Sequence, residues 1–194
     1  MARSLKILIT GSIVGVGVYV AAYLIVPSSF APPEFLKARI EGAELAKTIV
    51  DSSDKLLGYL DQIAKYDTEG NTQAAFILTG QALAKIHDAQ GEAIKLSSRL
   101  EAMARNLSDI KPAQARILAT EAVSSEVTLV SHLIQYNDYL KQLFEVLRGK
   151  FENPSSHSNG RVKELVNKVN EEARAINDFN RRFNQSLAEF DKFF

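Results

Sequence analysis

Residues 161–194 read RVKELVNKVNEEARAINDFNRRFNQSLAEFDKFF. Within them Val162, Val166, Val169, Ala173, Ile176, Asn180, Phe183, Leu187, Phe190 and Phe194 recur at steps that alternate four and three. An α-helix turns once in about 3.6 residues, so side chains spaced in this way share one face. A half-buried strand would instead repeat every second residue. The stretch is therefore an amphipathic helix, and one such helix cannot bury its own apolar stripe.

Toward the N-terminus the same period returns three times. Val123, Val127, Val130, Ile134, Leu140, Phe144 and Leu147 form a stripe that Leu129, Leu133 and Leu143 widen. A second runs from Ala75 to Leu107 and a third from Ala46 to Ile63. Between them lie three breaker clusters, YDTEGNT (66–72), NLSDIKP (106–112) and GKFENPSSHSNG (149–160). Pro112 suits the first turn of a helix, with Ser108 or Asp109 near enough to cap it. Connections this short force sequential helices to run antiparallel. The expected fold class is all-α, an up-down-up-down four-helix bundle of long helices over residues 35–194 with coiled-coil-like packing. A three-helix bundle with one loosely docked helix is the alternative. Gly42, Gly58, Gly80 and Gly91 fall inside the first two helices, where they permit either close packing or a bend.

Ahead of the bundle, residues 7–26 read ILITGSIVGVGVYVAAYLIV, twenty residues without a charge. At 1.5 Å per residue that is the length needed to cross about 30 Å of hydrocarbon, and it exceeds the apolar core of a cleaved signal peptide. Pro32 follows the best small-x-small site, Ser29-Phe30-Ala31, and a proline there opposes cleavage. An uncleaved single-pass signal anchor is expected, the N-terminal membrane helix of the fold. Arg3 and Lys6 precede the span and the next basic residue is Lys37, so the bias of positive charge keeps residues 1–6 inside and puts the bundle on the extracytoplasmic side. Residues 27–34, rich in proline, form a stiff linker. Gly11 and Gly15 make a G-x-x-x-G that favours lateral packing of two membrane helices, hence a homodimer.

Composition narrows the function. The 194-residue chain has 23 basic and 23 acidic residues; beyond residue 30 the count is 21 against 23. Such a balance gives no concentrated basic face, so no nucleic-acid partner is expected. Cysteine is absent, which excludes disulfides, thiolate metal sites and a Cys nucleophile. A di-iron bundle needs Glu-x-x-His on two helices, and none of His87, His132 or His157 has Glu three residues before it. No G-x-S-x-G, H-E-x-x-H or phosphate-binding glycine loop occurs. The expectation is a protein that is not an enzyme and carries no cofactor and no metal.

Polar residues on the stripes are the remaining signal. Asn170, Asn177 and Asn184 recur every seven residues and Asn180 falls on the stripe itself, opposite a polar run at 135–139. A polar group on a core seam fixes register; alternatively Tyr136, Asn137, Tyr139 and Asn180 line a polar pocket for a small ligand. Phe190, Phe193 and Phe194 crowd one terminus and suit contact with a partner. The segment INDFNRRFNQSLAEF (176–190) is similar to the closing helix of the LemA family of membrane-anchored helical proteins, with Asn177, Phe183, Asn184 and Phe190 in the matching places. That likeness covers one helix of four, and the family's first-helix signature has no counterpart. The overall plan also resembles the outer four-helix sensing domains of bacterial chemoreceptors. Two functions follow as expectations. One is a membrane-anchored interaction or scaffold module, an accessory subunit with membrane or extracytoplasmic protein partners. The other is an extracytoplasmic ligand-binding, sensor-like domain that acts through a partner.

Overall fold

The computed structural model describes residues 31–153 and 159–193. The span at 7–26, Gly11, Gly15 and Phe194 lie outside the described residues. Four long helices form: α1 at Pro33–Glu69, α2 at Thr72–Arg105, α3 at Ala113–Glu152 and α4 at Asn159–Asp191. A short 3-10 turn, Leu107–Asp109, sits between α2 and α3, and no strand occurs among the described residues. Cross-helix pairs fix the antiparallel order. Arg99 of α2 meets Glu41 of α1 at 3.2 Å, Gln90 of α2 donates to Asp138 of α3 at 2.9 Å, and Arg161 of α4 donates to Gln142 of α3 at 2.6 Å.

The helix ends follow from local chemistry. Tyr66–Glu69, within the first breaker cluster, continue α1, which stops at Gly70, whose φ of 76° is left-handed and costs a glycine nothing. Asn71 then caps α2 by accepting from the Ala74 amide at 3.1 Å. Pro112 is the residue before α3 and no side chain caps that helix, so neither Ser108 nor Asp109 takes the expected role. Pro33 opens α1 at a position whose amide has no helical partner to lose.

Close packing joins α1 to α2, α2 to α3, and α3 to α4. At Gly42 the α1 backbone comes near α2: a β-carbon there would lie 3.5 Å from Leu96 Cδ1. Nothing lies within 4 Å of a β-carbon at Gly58, Gly80 or Gly91, so close approach does not explain those three. Helix α1 meets α3 and α4 chiefly through long side chains. Lys150 donates to both carboxylate oxygens of Asp67 at 2.9 and 2.8 Å, Arg39 pairs with Asp191, and the Phe35 and Phe190 rings lie 5.8 Å apart.

One continuous core runs through the bundle, with Phe35, Leu60, Ile86, Met103, Phe144 and Phe190 among its fully buried side chains. Each such burial stabilises the fold by roughly 1.5–3 kcal/mol relative to exposure. The α4 stripe is buried as its spacing predicts, except that Leu165 rather than Val166 turns fully inward. Helix α3 departs further. Val127 is 49% exposed and Ile134 39% exposed, while Glu126 and Tyr136 point inward along with the expected Leu133 and Leu140. The reason is its position between two neighbours, which buries a wide arc centred to one side of the expected stripe. Among the described helices α3 alone is long and apolar enough to cross a membrane; it is also the helix with the most buried residues.

Candidate functional site

The polar residues singled out in the sequence do not assemble as one pocket. Tyr136 and Asn137 are adjacent on α3 and fully buried, and neither the phenol oxygen nor either end of the amide has a hydrogen-bond partner. Burial, and secondarily Asp54, pushes the Tyr136 phenol well above its ordinary range. Tyr139 lies half-buried at the edge toward α4, with the Lys168 ammonium 5.2 Å from its ring centre. That contact and the pairing of His132 with Glu172 set the register of α3 on α4, and they put Asn170 opposite Tyr136. Asn180 is ten residues further on, about 15 Å along the helix. It is buried, and its carbonyl and amide oxygens accept from the Asn184 amide at 2.9 and 3.0 Å.

A second cluster was not picked out from the sequence. Glu126 of α3 is only 7% exposed and faces Arg39 of α1. Arg39 in turn donates to both oxygens of Asp191 on α4, at 2.7 and 2.8 Å. Burial pushes the Glu126 carboxyl up to about 7 although Arg39 opposes it. The available signal was one carboxylate seven residues before Leu133 and fourteen before Leu140, on an otherwise apolar row. Arg39 and Asp191 carried no such mark, since their meeting depends on how α1 and α4 are brought together.

His132 has its Nδ1 2.7 Å from Glu172 Oε2, and since a carboxylate only accepts, that nitrogen donates. The ring stacks on Phe179 at 5.4 Å, and Arg182 covers the same Phe179 ring. Among the described residues no group of three or more His, Cys, Asp or Glu could hold a metal ion. Buried Ser53 and Thr79 return their hydroxyls to their own helix, at Ile49 and Phe76.

The terminal aromatics divide. Phe190 is fully buried against Phe35, so it belongs to the core and offers a partner nothing. Its amphipathic stripe had already given it an inward place, and the crowding of aromatics at one terminus obscured that. Phe193 is 37% exposed. On the outer face of α2 and α3 a groove of about 230 Å³ is lined by Ser97, Leu100, Ala104, Val127, Ser131 and Ile134. Ile94, 68% exposed, continues this apolar face.

The chain matches no protein-family model, no curated protein and no solved structure.

Proposed function

We propose that this protein is a membrane-anchored helical interaction module, held by residues 7–26 with its bundle on the extracytoplasmic side, and that it serves as an accessory subunit of a membrane complex. The observation that carries this reading is the charge-free stretch of twenty residues set directly before a bundle of long helices. The G-x-x-x-G at Gly11 and Gly15 adds a route to a homodimer within the membrane. Exposed Ile94, Val127 and Ile134 on one outer face also support it, because large apolar side chains in one patch favour contact with a protein partner. The test is to extract the full-length protein from its native membranes in mild detergent and determine mass and composition. Co-purification of other proteins in fixed ratio is expected. Recovery as a lone monomer or dimer would count against the subunit reading.

A second reading, an extracytoplasmic domain that binds a small polar ligand, is favoured by one observation. Tyr136 and Asn137 present unmatched polar atoms in the centre of the bundle, and a buried donor or acceptor without a partner costs about 1–3 kcal/mol. Thermal melts with amino acids, dicarboxylates and sugars separate the readings. A binder gains stability as ligand concentration rises, and a scaffold does not.

A further inference from the structure

From the arrangement of the chain's ends we propose that the bundle stands on the membrane surface by one defined end, with Phe193 in contact with lipid. The proposal rests on the reading of residues 7–26 as a membrane span. Three observations lead to it.

The first is tether length. Only residues 27–30 separate Val26 from Ala31, which is already buried in the bundle core. An extended chain covers at most about 3.3–3.6 Å per residue, so Ala31 cannot lie more than about 17 Å from the end of the span. The headgroup region is itself several ångströms deep on each side of the hydrocarbon. The bundle's near end is therefore confined to the membrane surface.

The second is which elements share that end. The start of α1 packs beside the end of α4, through the Phe35 and Phe190 rings at 5.8 Å and the Arg39–Asp191 ion pair. Since consecutive helices are antiparallel, the 106–112 connection and the start of α3 lie there too.

The third is what this end exposes. Phe193 follows the last turn of α4 with its ring 37% exposed, and Ile117, in the second turn of α3, is 50% exposed. Lys111, Arg116 and Lys192 are exposed at the same end, Lys192 paired with Glu189. An exposed aromatic side chain at an end that also carries exposed basic ones suits the boundary between headgroups and acyl chains, where apolar rings insert and cations meet phosphate. At the opposite end Ile77 is the large apolar side chain left exposed among the described residues. It lies 28 residues before the end of α2, about 40 Å away.

The chain contains no tryptophan, so single-tryptophan variants report on one place each. Full-length Phe193→Trp, Ile77→Trp and Tyr23→Trp proteins are reconstituted separately in nanodiscs of phosphatidylcholine and phosphatidylglycerol, with and without brominated acyl chains. The expected result is quenching and a blue shift for the Phe193→Trp and Tyr23→Trp proteins, and unchanged emission for Ile77→Trp. Quenching of the Tyr23→Trp protein with unquenched Phe193→Trp would overturn the docking while leaving the anchor in place. Equal quenching of Ile77→Trp and Phe193→Trp would mean that the bundle lies flat, which also overturns it. An unquenched Tyr23→Trp protein would remove the membrane span and the proposal with it.

Discussion

A carboxyl group moved from water into the interior of a helical bundle loses the hydration that keeps it ionised, and Glu126 is in that position. Its value in the unfolded chain is 4.5 and in the folded protein about 7, so between these the folded state binds more protons. Stability therefore falls as pH rises across that interval, by about 3 kcal/mol in all. Glu126→Gln is expected to flatten the dependence and to raise the melting temperature at about pH 8 while changing it little at about pH 5. Equal slopes for both proteins would show that Glu126 is not the group responsible. The Arg39 guanidinium opposes the shift. Arg39→Met should destabilise more at about pH 8 than at about pH 5, because only the ionised Glu126 needs the guanidinium. A double-mutant cycle of Arg39→Met with Glu126→Gln, melted at both values, isolates that coupling. Glu126 was visible in the sequence as a charge on an apolar row, but its proton affinity was not. That depends on the depth of burial and on a guanidinium from a helix 87 positions earlier.

At the scale of the helices, glycine has two opposite meanings here. Gly70 ends α1 at φ 76°, a conformation that an L side chain adopts only with strain. Gly70→Ala should lower stability by about 1 kcal/mol, read from denaturant melts. Gly58, Gly80 and Gly91 stand inside helices with open space where a β-carbon would go. Changing each to alanine should raise stability by about 0.5–1 kcal/mol, since alanine loses less backbone entropy on folding. A loss at any of the three would mean that the backbone there bends or moves in a way that alanine resists. The four helices and their antiparallel order were legible because the 3.6 period and the breakers are properties of neighbouring residues. The centre of the α3 buried arc was not, since Val127 and Ile134 are turned outward by α3 lying between α2 and α4.

For the whole molecule, the packing order is a succession, α1 on α2 on α3 on α4. Closure of α1 toward α3 and α4 falls to contacts near its two ends, the Phe35–Phe190 rings and the partly buried pairs of Arg39 with Asp191 and Lys150 with Asp67. Amide hydrogens in the middle of α3, the described helix with the most buried residues, should exchange most slowly. Removing one partner of either closing pair should speed exchange at that end of α1 first. Uniform acceleration across all four helices would instead show that the bundle opens only as a unit. By itself the sequence determined the helical period, the helix number, the apolar stripe of α4 and the apolar segment ahead of the bundle, all of which are written in residues close along the chain. Only the tertiary structure decided that Val127 and Ile134 of α3 face outward, that Asn180 lies about 15 Å from the level of Tyr136, and that Arg39, paired with Asp191, also acts on Glu126. Those relations join residues far apart in the chain, and they are set by helix rotation and register, to which a one-dimensional period is blind.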